Sequence, residues 1–272
     1  MGLGMDIGAF INSCVLGVIE GLTEFLPVSS TGHMLLADHF FGFKNEGGVF
    51  EVVIQLGAIL AVVVVYFERL WKAVVTLPSR KESRIFAATI VAAFLPAAII
   101  GSGLHGFIKR VLFNSPALIA WVLIAGGIII LIVERLPKKE IHTNSENLPI
   151  KTAFGIGLFQ CISMIPGVSR SGATIIGGML LGVSRRAAAE FSFFLSIPTM
   201  VAAAGFDLYK NFHQLSGGDF QTIGVGFVVA FLSALVVVRS FIGFITRFGL
   251  VPFAWYRIVG GAAVLIALAY GF

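Results

Sequence analysis

Charged residues are scarce in this sequence. Asp, Glu, Lys and Arg together make up 12% of its 272 residues, whereas hydrophobic residues make up 57%. A soluble globular domain carries about 25% charged residues. The deficit excludes an ordinary soluble domain and indicates a chain that folds with lipid as much of its solvent.

Cysteine is also scarce, and a targeting signal is lacking. Cys14 and Cys161 both lie within apolar segments, and neither belongs to a CxxC or Cys/His cluster. This pattern excludes a disulfide framework and a zinc site, so we expect two small packing residues. The first apolar stretch, Ile7–Ile19, has no basic region before it and no cleavage site after it. We therefore do not expect a removable signal peptide.

Apolar runs long enough to cross a membrane occur six times. A helix needs about 20 predominantly apolar residues to cross the hydrocarbon core. The predicted crossings are Glu51–Phe67, Ile85–Leu104, Val111–Val133, Glu190–Phe206, Phe220–Val238 and Val251–Tyr270.

Two further apolar regions, residues 7–42 and 150–184, are interrupted by stretches rich in Gly, Pro and Ser. Each is long enough for two half-helices. Non-helical backbone at membrane depth is tolerated only where protein or a water-filled cavity surrounds it. We therefore predict that each region is a re-entrant helix–loop–helix hairpin.

The basic residues indicate an orientation and do not indicate a nucleic-acid partner, although the net charge is +5. They lie between apolar runs, as in membrane proteins, whose cytoplasmic loops are rich in Lys and Arg. If the first hairpin enters from outside and the second from the cytoplasm, thirteen face the cytoplasm and four face outward. Arg170 and Arg257, inside apolar segments, complete the total of 19. Both termini are then expected on the outer face.

The two interrupted regions resemble each other. A shift of 140 residues superposes Gly17 on Gly157, Ser29 on Ser169 and Gly32 on Gly172. We predict one all-α polytopic membrane domain over residues 1–272, with repeat one at about 1–136 and repeat two at about 150–272. Each repeat is a hairpin plus three crossings, and because three is odd the second is inverted. Inverted repeats with broken helices are typical of transporters and place a polar site at their interface.

Glu20 and Glu24 lie four residues apart in the first hairpin, on one helical face. Acids inside a membrane bundle usually mark a functional pathway or a metal site. The pair suits one divalent cation, or one metal ligand and one proton carrier. A structural alternative is burial against hydroxyls of the other hairpin.

The following loop is rich in hydroxyl groups. Ser29, Ser30 and Thr31 precede Gly32, which permits close backbone approach, and His33 stands at the start of the next half-helix. The N-terminus of a helix is a ready anion site. Ser30 and His33 are close enough in sequence to act as nucleophile and base.

The second hairpin carries Ser169, Arg170, Ser171 and Gly172. A guanidinium at membrane depth is costly unless it meets an anion, and its fork matches a phosphate. The alternative is an ion pair with Glu20 or Glu24. The two interpretations are compatible, because Arg170 can exchange a carboxylate for a phosphate.

Three other charged residues allow a structural interpretation. Glu51 and Glu190 are expected to open crossing helices at equivalent positions, where capping is as reasonable as catalysis. Arg257, in the last crossing, is expected to be structural or to reach toward the membrane surface.

The motifs at residues 20–33, EGLTEFLPVSSTGH, and 166–174, PGVSRSGAT, closely resemble those of the bacterial undecaprenyl-diphosphate phosphatase family of the BacA type, associated with bacitracin resistance. The resemblance extends over essentially the whole chain, including residues 50–57 and 190–195. It implies hydrolysis of undecaprenyl diphosphate to undecaprenyl phosphate and phosphate at the outer side of the cytoplasmic membrane. It also implies dependence on Mg²⁺ or Ca²⁺.

The resemblance assigns roles to the matching positions. It implies catalytic roles for Glu20, Glu24, Ser30, His33 and Arg170, with the nucleophile open between Ser30 and His33. Substrate binding falls to Ser29, Thr31, Gly32, Ser169, Arg170, Ser171 and Gly172, and metal binding to Glu20 and Glu24. The main rival is a transporter or flippase of the phosphorylated prenyl lipid. The sequence leaves a homodimer open.

Overall fold

A computed structural model describes residues 6–42, 49–111, 115–137, 139–211 and 219–271. These residues form eleven α-helices in chain order. They are α1 (Ile7–Thr23), α2 (Ser30–Phe41), α3 (Val49–Val65), α4 (Phe67–Val75), α5 (Lys81–Val111), α6 (Pro116–Arg135), α7 (Ile150–Ile162), α8 (Arg170–Leu180), α9 (Arg185–Asn211), α10 (Asp219–Phe248) and α11 (Val251–Ala269).

Five helices within the described residues are long and apolar enough to cross a membrane. The qualifying segments are Lys81–Gly101, Pro116–Arg135, Arg185–Phe206, Phe220–Phe248 and Val251–Ala269. The pair α3 and α4 makes a sixth if it is counted as one span, although it bends by 76° between its two helices. The prediction of an all-α polytopic membrane protein is therefore confirmed.

Two helix boundaries differ from the predicted crossings. Val111 ends α5, and α6 begins at Pro116, so the predicted span Val111–Val133 started too early. Ser115 caps α6 by accepting a hydrogen bond from the Leu118 N–H, and Pro116 occupies a position that favours helix initiation. Glu190 also does not open its helix, because α9 begins five residues earlier, at Arg185.

The two interrupted regions have the predicted helix–loop–helix form. In the first, α1 and α2 are joined by residues 24–29, and in the second, α7 and α8 are joined by residues 163–169. α1 packs along α10, whereas α7 packs along α5, so each hairpin lies against the second crossing of the opposite half. The inverted relation of the halves and the repeat boundaries stay predictions.

Glycines allow these helices to approach closely. A Cβ atom added to Gly17 would lie 2.7 Å from the Gly226 carbonyl oxygen of α10, and one added to Gly157 would lie 2.3 Å from the Ala93 oxygen of α5. Small residues at interfaces are a common means of helix association in membranes. The buried core lies beside these contacts and is dominated by α9, with Phe191, Phe193 and others fully enclosed.

Candidate active site

Each hairpin loop delivers a helix N-terminus to the site. Ser29 and Ser169 precede α2 and α8 with φ values of 74° and 75°, which are unusual for residues other than glycine. Their hydroxyl groups accept hydrogen bonds from the Gly32 and Gly172 N–H groups at 3.2 and 3.1 Å. The first N–H groups of a helix have no partner within it and favour anions. Two such ends therefore lie together.

The two loops are joined by hydroxyl groups of the second hairpin. Ser171 donates to the Leu26 carbonyl oxygen at 2.7 Å, and Ser169 lies 3.4 Å from the same oxygen. The two hydroxyl groups are also 3.0 Å apart. Both serines were predicted to bind substrate, and the structure places them at the loop contact, where they hold the hairpins together.

The glycines of these loops are tightly enclosed. A Cβ atom on Gly32 would lie 3.1 Å from Ser29 Oγ and 3.5 Å from the Gly167 Cα, while one on Gly172 would lie 3.3 Å from Ser169 Oγ. Thr31, half-buried in the first turn of α2, lies beside them. The expected close backbone approach is thus made between the two hairpins themselves.

Glu24 connects the two halves of the site. Its Oε2 atom accepts a 2.5 Å hydrogen bond from the Ser30 hydroxyl, and its Oε1 atom accepts a 2.8 Å hydrogen bond from Arg170 Nη2. All three residues are buried. The ion pair between Arg170 and a glutamate, one of the two predicted alternatives, is present with Glu24. The carboxylate is also in position to take a proton from Ser30.

Arg170 and Glu20 each retain an unused polar atom. Arg170 Nη1 donates to the carbonyl oxygen of Ser192 at 2.9 Å, but its Nε is buried without a hydrogen-bond partner in the part of the chain described. Glu20 Oε1 is likewise buried without a partner there. Buried polar atoms are seldom left unsatisfied, and exceptions often mark a missing ligand or ion.

His33 is held away from Ser30. Its Nδ1 lies 2.8 Å from the Ser29 carbonyl oxygen, which only accepts, so Nδ1 carries the proton. Its Nε2 then accepts from the Tyr256 hydroxyl at 2.7 Å. Both ring nitrogens are thus engaged, and Ser30 bonds to Glu24. Sequence reasoning did not identify Tyr256, because one tyrosine at the start of an apolar helix carries no motif.

Arg257 has a larger structural role than its sequence position indicates. Its side chain is 1% exposed and donates hydrogen bonds of 2.8 to 3.2 Å to five carbonyl oxygens, which belong to Pro27, Val122, Leu123, Gly167 and Val168. These acceptors include both hairpin loops. Arg257 therefore fixes the two loops against α6 and does not reach to the membrane surface.

A divalent cation would find part of its ligand set here. Glu20 and Glu24 are neighbouring buried carboxylates, and the charge of Glu51, in the first turn of α3, also acts on Glu20. Mg²⁺ and Ca²⁺ prefer oxygen ligands, and Mg²⁺ is commonly held by one or two carboxylates plus substrate phosphates. The unpartnered Glu20 oxygen fits that role. Within the described ranges, no cluster of three or more His, Cys, Asp or Glu side chains forms a complete protein site.

Comparisons with known proteins agree with the motifs. Residues 13–263 match the family described as bacitracin resistance protein BacA. The chain is 56% identical over 260 residues to undecaprenyl-diphosphatase 1 of Agrobacterium fabrum, covering 96% of this chain and 97% of that one. It is 55% identical over 254 residues to an undecaprenyl-diphosphatase of Chelativorans, covering 93% and 95%. The predicted resemblance is therefore confirmed, and the chain belongs to the BacA family of bacitracin resistance proteins.

Proposed function

We propose that this protein hydrolyses undecaprenyl diphosphate to undecaprenyl phosphate and inorganic phosphate. The observation that carries the proposal is the single carboxylate, Glu24, that holds both a hydroxyl nucleophile, Ser30, and a phosphate-matching guanidinium, Arg170. The names of the relatives at more than 50% identity support the same substrate. Neither hydroxyl nor base is needed by a protein that only binds the lipid.

Ser30 is the proposed nucleophile. Its oxygen attacks the terminal phosphorus while Glu24 accepts the hydroxyl proton through the existing hydrogen bond. The bond between that phosphorus and the bridging oxygen breaks, and undecaprenyl phosphate leaves. Water then attacks the phosphoserine and releases phosphate, with Glu24 available to move the proton. His33 does not supply the base in this scheme, because its ring nitrogens are held by Ser29 and Tyr256.

Positive charge is the second requirement of the reaction. Phosphoryl transfer is catalysed mainly by positioning and by stabilising charge on the phosphate oxygens. Arg170 can meet the diphosphate through its free Nε while Nη1 stays on Ser192. The N-termini of α2 and α8 add backbone N–H donors at the same place.

A divalent cation completes the proposed site. Glu20 and Glu24 would hold Mg²⁺ or Ca²⁺ together with the substrate, and the ion would neutralise phosphate charge. Glu20→Gln is expected to abolish the increase in thermal stability that Mg²⁺ gives in the presence of phosphate. Glu68→Gln, on the exposed helix α4, is the matched control.

The proposed setting is the bacterial cytoplasmic membrane, with the site open to its outer side. The prenyl tail would lie in lipid between helices, and the product would return to cell-wall synthesis. A second copy of the chain is left as a candidate partner. Labelling engineered cysteines with a membrane-impermeant thiol reagent tests the orientation.

Phosphate release from undecaprenyl diphosphate tests the proposed activity. Purified protein with Mg²⁺ is expected to release phosphate, and EDTA is expected to stop it. Ser30→Ala should lower the rate by about 100-fold or more. Ser13→Ala in α1, whose hydroxyl bonds only to the Ala9 carbonyl, should retain it. No release by the native protein with metal present would overturn the proposal.

A carrier or flippase of the phosphorylated lipid is the second candidate, favoured by the packing of each hairpin against the opposite half. Lipid movement does not need a nucleophile. Ser30→Ala in proteoliposomes should therefore keep any flipping while losing hydrolysis. Loss of both together would exclude independent transport.

A further inference from the structure

A second polar cavity lies at the other end of the crossing helices. Its volume is about 630 Å³, and it opens between the α3–α4 bend, the start of α9 and the end of α10. The charged residues in its wall are Arg69, Arg186, Glu190, Arg239 and Arg247. From Glu51 to Val65 along α3 is about 21 Å at 1.5 Å per residue. The cavity is therefore separate from the Ser30 site.

Positive charge dominates this cavity. Arg69 and Arg186 both bond to Glu190, at 3.3 Å each. Arg69 is also bonded to Glu146. Arg239 and Arg247 are exposed, and the structure gives neither a carboxylate partner among the residues it describes. Two guanidinium groups are thus available to an anion.

The two available arginines share one face of α10. Arg239, Gly243 and Arg247 recur every four residues, which places them in one row along a helix. Gly243 has no atom within 4 Å of the position its Cβ would take, so the row has open space at its centre. An anion can lie there between two guanidinium forks, which match phosphate oxygens well.

The neighbouring helix α4 indicates the depth of the cavity. Phe67 and Trp71 are 54% and 60% exposed on one side of α4, Val74 is 65% exposed, and charged residues such as Lys72 occupy the remainder. A short amphipathic helix of this kind, bent 76° from a membrane crossing, is typical of one that lies in the interface plane. Arg69 on the same helix is then at the level of lipid headgroups.

The rest of the wall is apolar. Val65, Val238 and Ile242 line the cavity below the arginines. A soluble anion gains nothing from such a surface, whereas a lipid places its phosphate among the charges and its chains beside the helices. We propose that this cavity binds the phosphate group of an anionic phospholipid from the leaflet in which α4 lies.

Lipid binding to purified protein tests this site. The protein in neutral detergent is titrated with phosphatidylglycerol, with phosphatidylcholine as the zwitterionic lipid and with inorganic phosphate, and bound species are counted by native mass spectrometry. Phosphatidylglycerol should bind more tightly than phosphatidylcholine. The pair Arg239→Gln and Arg247→Gln should weaken its binding by about tenfold, and each single change should give part of the loss.

The matched control removes two exposed arginines elsewhere. Arg80→Gln and Arg135→Gln change the net charge equally, so binding should fall by less than about twofold. Phosphate release should stay within about twofold in both double variants, because neither touches the Ser30 site. An equal loss in the two double variants, or no loss in either, would overturn the site. Binding of inorganic phosphate as tight as that of phosphatidylglycerol would contradict a lipid ligand.

Discussion

Arg170 Nη2 lies 2.8 Å from Glu24 Oε1, although the two residues are 146 positions apart in the sequence. Both side chains are less than 10% exposed. A buried ion pair is not itself a strong source of stability, but removing one partner leaves the other charge uncompensated. The pair therefore ties the first hairpin to the second and holds Glu24 where it also meets Ser30.

Glu24→Gln separates charge from hydrogen bonding. The amide can still accept from Ser30 but cannot take its proton, so phosphate release should fall by about 100-fold or more. Arg170 would lose its counter-charge, and the free energy of unfolding should fall by about 3 kcal/mol. The double variant Glu24→Gln, Arg170→Gln should regain part of the stability and none of the activity. Native activity in the single variant would exclude Glu24 as the base.

Tyr256→Phe tests the position of His33. The change removes the hydroxyl that donates to Nε2 and leaves the ring in place. Because Ser30 bonds to Glu24, we expect phosphate release to fall by less than about tenfold. Tyr270→Phe, at an 80% exposed position, is the control. A loss as large as that of Glu24→Gln would show that the imidazole takes part in the chemistry.

Arg257→Met removes the hydrogen bonds to five carbonyl oxygens. The buried carbonyl groups lose their donor, so we expect a loss of at least about 3 kcal/mol in unfolding free energy. Hydrogen exchange in residues 24–29 and 163–169 should become faster. Gly126→Ala tests the same contact from α6, because its Cβ would lie 2.1 Å from Arg257 Nη2. Unchanged exchange in both variants would contradict the assigned role.

Gly157→Ala tests the contact between α7 and α5. The added methyl group would meet the Ala93 carbonyl oxygen, which belongs to backbone and cannot move aside cheaply. We expect a loss of about 1 to 3 kcal/mol in unfolding free energy. Gly224→Ala on α10 has open space around its Cβ and should be neutral or slightly stabilising. Equal thermal stability of the two variants would contradict the close approach.

The sequence predicted features that depend on local pattern. Run length identified the six crossings, and the breaks at Pro27 and Pro166 marked the hairpin loops. The shared spacing also brought Glu24, Ser30 and Arg170 to one candidate site, and the structure places them together. These signals lie within a few turns of each other, where helical periodicity is informative.

The remaining contacts depend on tertiary packing and leave no local signal. Arg257 reaches Pro27 across 230 positions, and Tyr256 reaches His33 across 223. Nothing near either residue in the last crossing indicates those partners. The start of α6 is a different case, because Ser115 and Pro116 are a recognisable helix start within a charge-free run.

Rapid-quench labelling with substrate carrying ³²P in its terminal phosphate tests the central claim most directly. The native protein and Ser13→Ala are expected to form a transient phosphoserine that peptide mapping places at Ser30. Ser30→Ala should form none and release no phosphate above background. Label on His33, or a phosphoenzyme that persists in Ser30→Ala, would contradict Ser30 as the nucleophile.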